Sequence, residues 1–333
     1  MTVDASEALA LARNAVQSAY SALALSIPLV ALGIATTGSI YFLAAVRTKS
    51  GGGSWAAWLR YLFPREHYTS VSARVDILVW LVSGLVIIPV YEACVALSGL
   101  LLGGSVDALL TEAFGPAART SWPVWCIVAL QFLGFHFGFG AGQYGGHLAF
   151  HKVPALWALH RAHHSAESPN LFAFLRTHPL EIFLNGALRV LGGAIGVGLV
   201  GHITGTRLLP EASAAILAYN VFTVLTGFRS LDHSHIPVRY GKVLDVLIGS
   251  PIMHQVHHSA EPAHRDVNLA GAGYLYDWIF GTLYIPRRGE VWRWGLNEEE
   301  RGDNNPHNSL AGFFIEPVRN MWRELGRPFN ARR

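Results

Sequence analysis

Long apolar stretches without charge constrain this chain more than any other feature of its sequence. Residues Ser21 to Val46 contain no charged side chain, and a helix of that length covers the roughly 30 Å of hydrocarbon in a bilayer. Charged residues make up only 14% of the 333 residues, against about 25% in soluble proteins. The sequence therefore predicts an all-α integral membrane bundle whose first stretch is a retained span rather than a signal peptide.

The later apolar stretches and the basic residues predict how the chain crosses the membrane. The stretches are Ile77–Gly103, Trp122–Phe150, Val190–Ile203 and Ala212–Gly227. The first connection carries Arg47, Lys49, Arg60, Arg65 and Arg74. Because basic loops stay inside, we expect that connection, and the end of the third stretch, on the cytoplasmic side. The last two stretches are short for independent spans and predict a hairpin over about residues 190–228.

Three regions follow from this pattern. We expect transmembrane helices in residues 1–146, a histidine-rich region that includes the hairpin in residues 147–286, and a cytoplasmic tail in residues 287–333. Cys94 and Cys126 lie in apolar stretches, which excludes a disulfide framework or a cysteine-based zinc site. A net charge of +3 gives no indication of a nucleic acid partner.

Histidines at helical spacing are the clearest functional signal. His147 and His151 are four residues apart, and His160-x-x-His163-His164 is repeated as His254-x-x-His257-His258. Residues at i, i+3 and i+4 share one face of a helix, and neutral imidazole is the commonest metal ligand. These histidines are too many for one tetrahedral zinc, which takes three or four protein ligands. The sequence therefore predicts a dimetal site on a cytoplasmic helical cap.

The remaining histidines divide into candidate ligands and ordinary residues. His233 is the best further ligand because it follows the last apolar stretch at the depth of the other groups; His235 could replace or join it. His178 could ligate or could only orient its loop. We expect ordinary structural roles for His67, His136, His202 and His307, and we interpret the Glu261-x-x-His264 spacing as accidental.

A metal pair held mainly by neutral imidazoles at the end of a span suits O₂ chemistry on a membrane lipid, with electrons arriving from the aqueous side. Two alternatives remain open on the residues alone. One is a membrane zinc hydrolase that uses metal-bound hydroxide; the other is a non-catalytic metal carrier or transporter. The sequence contains no Gly-x-Ser-x-Gly elbow, phosphate-binding loop or His-Glu-x-x-His motif.

From about Tyr144 to Pro286 the chain resembles the fatty acid hydroxylase and sterol desaturase superfamily of membrane di-iron oxygenases. The matching motifs are Tyr144-x-x-His147-x-x-x-His151, His160-x-x-His163-His164-Ser-x-x-x-x-Asn170, Arg176-x-His178-Pro-x-Glu181, His233, His254-x-x-His257-His258, Asp266-x-Asn268 and Phe280-Gly281-Thr282.

The resemblance implies two irons, for which zinc can substitute on isolation, and O₂-dependent hydroxylation or desaturation of a lipid. It implies ligation by His147, His151, His160, His163, His164, His233, His254, His257 and His258. Asn170, Glu181, Asp266 and Asn268 would orient those ligands or fix their loops. Since no haem or iron–sulfur motif is present, electrons would come from a separate ferredoxin, flavoprotein or cytochrome.

Some positions depart from the family pattern. Gly140 stands where family members often have Asp, Leu148 where they often have Arg, and the familiar Asp-Lys-Asn-Tyr-Gly stretch is Asp266-Val-Asn268-Leu-Ala270. These changes spare the predicted ligands and leave the substrate open among sterols, fatty acyl chains, ornithine lipids, ether lipids and carotenoids.

Overall fold

The described part of the chain is helical. The computed structural model describes residues 5–43, 54–91, 94, 106, 108–117, 120–225, 231–271, 273–302 and 304–327. Within these ranges there is no strand, and an isolated antiparallel bridge joins Ser259 to Trp294. Several predicted features lie outside them: Arg47, Lys49 and the ends of the first, second and last apolar stretches. The all-α prediction is confirmed.

The main helices are joined by connections of very different length. In chain order they are α1 (Ala5–Tyr41), α2 (Trp55–Leu62), α3 (Arg65–Thr69), α4 (Val71–Tyr91), α5 (Val124–Lys152), α6 (Pro154–His164), α7 (Pro179–Thr204), α8 (Pro210–Leu225), α9 (Pro251–His257), α10 (Leu275–Phe280), α11 (Glu298–Arg301) and α12 (Leu310–Gly326). Residues Ser83–Ile87 of α4 are π-helical, as is Asp245–Gly249, which precedes α9.

Three of the described helices are long and apolar enough to cross a membrane: α4, α5 and α7. Prolines mark the first residues of several helices. Pro154 follows α5 and occupies the first turn of α6, where its missing N–H costs nothing. Pro179 opens α7 in the same way, after His178 caps the helix by accepting the Leu180 N–H. The first predicted span, Ser21 to Val46, lies in α1 as far as Tyr41, where that helix ends.

Helices α5 and α7 pack antiparallel with their backbones almost touching. A methyl group on Gly138 would overlap the carbonyl oxygen of Gly192, and one on Gly134 would lie 2.7 Å from the carbonyl oxygen of Gly196. Small residues allow such close approach between membrane helices. Because the pairing is antiparallel, the histidine-bearing end of α5 lies beside the first turns of α7.

Helix α7 begins at Pro179, earlier than the apolar stretch that starts at Val190. The sequence signal was weakened by Glu181 and Asn185, which are buried in the first turns of the helix. The turn after α7 lies beside the start of α5, where Gln131 Nε2 donates to the Arg207 carbonyl over 3.0 Å. Helix α8 then runs back against α1 and α5.

The remaining elements form a cap at one end of these helices. A buried core of Tyr144, Met253, Leu269 and Tyr274 joins α5 to α9 and to the loop before α10. On the other side, Phe313 of α12 packs with Val75 and Val79 of α4 and with Ala162 of α6. The cap therefore holds α6 and α9 against the end of α5.

Candidate metal centre

The structure gathers nine histidines into two adjacent groups. In the five-histidine group, one nitrogen from each ring lies within 4.8 Å of the others; its members are His147, His151, His160, His164 and His257. The four-histidine group satisfies the same limit with His163, His233, His254 and His258. The nine residues are those that the sequence predicted as ligands, and each group has enough nitrogens to hold one metal ion.

Each His-x-x-His-His motif is divided between the two groups. On α6, His160 and His164 face the five-histidine group while His163 faces the other. The motif on α9 is divided the opposite way, since His254 and His258 belong to the four-histidine group and His257 belongs to the five-histidine group. This exchange follows from two helices facing each other, with the His164 and His258 ring centroids 4.6 Å apart.

Backbone acceptors fix the tautomers of several of these rings. His147 Nδ1 lies 2.6 Å from the Leu269 carbonyl oxygen, and His257 Nδ1 lies 2.7 Å from that of Val267. His163 Nδ1 lies 3.0 Å from the Arg176 carbonyl oxygen. Because a carbonyl only accepts, each Nδ1 carries the proton, and in the neutral ring each Nε2 presents a lone pair.

The Nε2 lone pairs of neighbouring rings point at one another. This arrangement shows whether the site suits a cation. His147 Nε2 and His160 Nε2 are 2.9 Å apart, and His160 Nδ1 in turn donates to the Glu181 carboxylate over 2.7 Å. Facing lone pairs repel unless a cation accepts both. The Nε2 atoms of His151 and His257 are buried without a hydrogen-bond partner. Both observations fit a metal ion in the five-histidine group.

The four-histidine group shows the same convergence of Nε2 atoms. His258 and His254 approach to 3.0 Å, His254 and His233 to 3.3 Å, and His233 and His163 to 3.4 Å. The Nδ1 atoms of His233 and His254 are buried without a partner. All nine rings contribute nitrogen and no carboxylate belongs to either group. A nitrogen-rich donor set of this kind suits iron, zinc, copper or nickel.

Burial keeps these imidazoles in the form that binds metal. Removal from solvent lowers the pKa of His163 from 6.5 to about 4. Burial, with the neighbouring histidines acting in the same direction, also lowers the pKa of His164, His254 and His258 well below 6.5. The rings are therefore neutral at physiological pH, and metal binding there competes with few protons.

The segment from Asp266 to Leu269 supports three rings of the five-histidine group. Asp266 accepts from His151 Nδ1 over 3.0 Å and from Lys152 Nζ over 2.6 Å, while the Val267 and Leu269 carbonyls accept from two further histidines. Asp266 and Asn268 have positive φ values of 59° and 55°. Asn268 stabilises this conformation, because its side chain bonds the backbone of Met253 and Tyr284.

Asn170 makes no hydrogen bond to a histidine of either group. Its Nδ2 donates to Asp76 over 2.6 Å and to the Ser168 carbonyl, and its Oδ1 accepts the Phe172 N–H. Of the four residues expected to orient ligands or fix loops, Glu181 and Asp266 therefore touch histidines directly, and Asn170 and Asn268 act on the loops around them.

The two undecided histidines lie outside both groups. His178 Nδ1 accepts the Leu180 N–H and its Nε2 donates to the Phe314 carbonyl over 3.1 Å, so both nitrogens are used away from the centre. His235 Nε2 donates to the Tyr61 carbonyl over 2.6 Å, and its ring stacks on His67. The Glu261-x-x-His264 pair does not form a ligand set either, because His264 bonds Ser259 and Glu290.

A cavity of about 170 Å³ reaches the five-histidine group from the cap. Its walls include His151, His164, Trp157, Arg265 and Glu300. Trp157 packs against several rings of the group, with its centroid 5.3 Å from that of His151, and its Nε1 donates to Glu300. The group is therefore buried but approachable from one side.

Two buried charged residues beside the centre went unrecognised as site residues in the sequence. Arg176 and Asp76 form an ion pair of 2.6 Å and are both fully buried. Arg176 is part of the Arg-x-His-Pro motif, to which the sequence assigns no role. Asp76 comes just before an apolar stretch, which the sequence indicates only as a span. An isolated carboxylate beside an apolar stretch was the signal that could have indicated the pair.

Comparison with known proteins agrees with this geometry. The model of the fatty acid hydroxylase family matches residues 132–282. Human (Homo sapiens) alkylglycerol monooxygenase is 28% identical over 152 residues, which is 46% of this chain and 29% of that protein. The very-long-chain aldehyde decarbonylase GL1-1 of Oryza sativa subsp. indica is 30% identical over 146 residues, 42% of this chain and 21% of that protein.

The match to a bacterial relative covers a larger share of both proteins. The ornithine lipid hydroxylase OlsE of Rhizobium tropici is 27% identical over 167 residues, which is 50% of this chain and 44% of that protein. This chain thus spans less than half of the length of each of the three relatives. No solved structure matches it. The match to the fatty acid hydroxylase family thus covers residues 132–282, the part of the chain that contains all nine clustered histidines.

Proposed function

We propose that this protein is a membrane-bound di-iron oxygenase that hydroxylates or desaturates a lipid, using O₂ and electrons from a separate carrier. The observation that carries the proposal is the convergence of nine imidazoles in two groups whose Nε2 lone pairs face one another. The three relatives named above are, by their names, proteins that act on long-chain or polar lipids, which supports a lipid substrate.

Iron is the metal that the family implies, and the donor set fits it. The five-histidine group would hold one iron and the four-histidine group the other. Bound iron would supply the capacity to activate O₂ for attack on an unreactive C–H bond. The protein's own residues orient the imidazoles, Glu181 and Asp266 by their carboxylates, and Leu269, Val267 and Arg176 by their carbonyls. Burial of the rings keeps them neutral.

The position of the centre supports a lipid substrate. His147 and His151 occupy the last two turns of α5, a membrane-length helix. Apolar side chains on α4 and α7, such as Leu78 and Leu184, are exposed near the same end. These exposed side chains give the acyl chain of a membrane lipid an apolar surface close to the centre. Holding a C–H bond there and excluding water is the contribution that the fold makes to the reaction.

Iron content and product analysis test the proposal together. Purified protein should contain about two irons per chain, and cells with the protein should contain a lipid heavier by one oxygen or lighter by two hydrogens than cells without it. For the hydroxylated product, labelled ¹⁸O₂ should supply the added oxygen. His163→Ala should lose metal and product, whereas His136→Phe, in the same fold but outside both groups, should retain both.

Other results would favour the alternatives. Stoichiometric zinc after iron-replete expression, with turnover in the absence of O₂, would indicate a hydrolase. Metal uptake into vesicles that contain the purified protein, with no lipid product, would indicate a transporter. Because zinc can replace iron on isolation, metal content is read only together with the oxygen requirement.

A further inference from the structure

Arg176 lies fully buried behind the four-histidine group and contacts it through its backbone. Its carbonyl oxygen accepts a hydrogen bond from His163 Nδ1 over 3.0 Å, which leaves His163 Nε2 with a lone pair directed into the group. Its side chain is also fully buried. The position of one ligand therefore depends on where this residue is held.

The guanidinium holds the end of the helix that carries the ligand. Arg176 Nε donates to the Ala162 carbonyl over 3.2 Å and to Ser165 Oγ over 3.1 Å. These atoms lie at the C-terminus of α6, where unsatisfied carbonyls and the helix dipole favour a cation. Side chain and backbone of the same residue thus fix both α6 and the His163 ring.

The other guanidinium nitrogens connect this point to a membrane-length helix and to the C-terminal segment. Nη1 bonds Asp76 of α4 over 2.6 Å, and Nη2 bonds the His307 carbonyl over 2.9 Å. The second Asp76 oxygen accepts from Asn170 over 2.6 Å. Both charges are fully buried, so removing either partner leaves an uncompensated charge inside the protein.

We propose that Arg176 and Asp76 are positioning residues for the metal of the four-histidine group. Arg176 orients His163 and the end of α6, and Asp76 neutralises a guanidinium charge that would otherwise oppose a metal cation nearby. The inference rests on the proposed dimetal function. The five-histidine group shares α6 through His160 and His164, but Glu181 and the Asp266–Leu269 segment orient several of its rings separately. Altering Arg176 or Asp76 should therefore weaken metal binding by the four-histidine group more than by the five-histidine group.

Two substitutions test separately the charge and the hydrogen-bonding geometry of the Arg176–Asp76 pair. Asp76→Asn keeps a polar side chain of the same size but removes the negative charge, and Arg176→Lys keeps the positive charge but loses the planar set of donors. Residues that orient metal ligands typically change metal affinity about 10- to 100-fold when altered. Each variant should weaken one of the two metal-binding steps by about that factor and weaken the other step less. Asp76→Asn should also shift the reduction potential of the affected iron to a more positive value.

The experiment uses the full chain in detergent, stripped of metal and titrated with Co²⁺, whose optical spectrum reports its ligands. Wild type should show two binding steps, and Arg176→Lys and Asp76→Asn one strong and one weak step. Glu181→Leu should weaken the opposite step, and Arg319→Lys, which alters a surface pair with Glu316, should change neither. Mössbauer spectra of ⁵⁷Fe-loaded protein should show one iron lost from the same two variants.

The outcomes are distinguishable from those that test the proposed function. If wild type binds two metals and the Arg176 and Asp76 variants retain both steps unchanged, or lose both equally while eluting as folded protein, the positioning role is wrong and the dimetal function stands. If wild type shows fewer than two steps, the proposed function fails and this inference fails with it.

Discussion

At the scale of single residues, the centre depends on which nitrogen of each ring carries its proton. Glu181 is the clearest case, because its carboxylate accepts from His160 Nδ1 over 2.7 Å inside a nearly dry environment. That bond leaves His160 Nε2 free to bind metal and keeps the ring from rotating. The same logic applies to Asp266 and His151.

Replacing Glu181 by Leu should lower the metal affinity of the five-histidine group by about 10- to 100-fold. The reason is that His160 Nδ1–H would be left buried without an acceptor and the ring would lose its orientation. Retention of iron during dialysis against a chelator measures the effect. Glu181→Gln, which can still accept this hydrogen bond, serves as the control and should lose less metal. Equal retention by wild type and both variants would contradict the prediction.

His307 should make the stability of the protein depend on pH. It is fully buried, and burial, with Arg161 and Arg176 nearby, lowers its pKa from 6.5 to about 3. Below about pH 6.5 the unfolded chain gains a proton here that the folded protein does not bind, so stability falls as pH falls, until the folded pKa is reached. The slope is about 1.4 kcal/mol per pH unit for this one group.

Thermal melting between pH 7 and pH 4 measures this dependence. His307→Gln, which stays neutral throughout, should melt with a shallower dependence on pH than wild type. Parallel melting curves for the two proteins across the range would show that His307 does not titrate in this way.

At the scale of helices, the centre depends on how closely α5 and α7 pack. The pairs Gly134–Gly196 and Gly138–Gly192 bring the two backbones together, and this contact sets the distance between the end of α5, with its histidines, and Glu181 on α7. A change in the middle of the helix pair therefore reaches the centre without touching it.

Gly138→Ala should lower the melting temperature and the metal content, because the added methyl group would overlap the Gly192 carbonyl oxygen and force the helices apart. Gly145→Ala is a matched control on the same helix. A methyl group there meets no atom within 4 Å, and alanine favours helix by about 1 kcal/mol over glycine. The control should therefore melt at the same temperature or higher, and a reversed order would contradict the packing argument.

The histidine clusters and the helical class could be predicted because their signals are local. Spacings of three and four residues indicate one helix face, and an uncharged stretch indicates a span. The division of each His-x-x-His-His motif between two groups could not be predicted, since it depends on how α6 faces α9. The Arg176–Asp76 pair was equally inaccessible, because it joins residues 100 positions apart whose proximity only the packing of α4 against the cap creates.

At the scale of the whole molecule, the helices place one end of the bundle, the cap and the two histidine groups together. Helix α4 begins at this end, since its first turns hold Asp76 against Arg176. The basic residues Arg60, Arg65 and Arg74 precede or open that helix and so lie at the same end. The turn between α7 and α8, with the exposed residue Arg207, lies at the other end of α7.

This arrangement predicts that the centre faces the cytoplasm, because basic residues flanking spans are retained on that side. Single cysteines at Glu298, which is 87% exposed on the cap, and at Arg207 test it in a chain whose Cys94 and Cys126 are replaced by serine. In intact cells a membrane-impermeant maleimide should label Arg207→Cys and spare Glu298→Cys, and permeabilised cells should label both. A helix of 26 residues rises about 39 Å at 1.5 Å per residue, so α7 is long enough to separate the two sites by a bilayer. Labelling of Glu298→Cys alone in intact cells would place the centre outside, and labelling of neither would mean that α7 and α8 enter the membrane and return without exposing their turn.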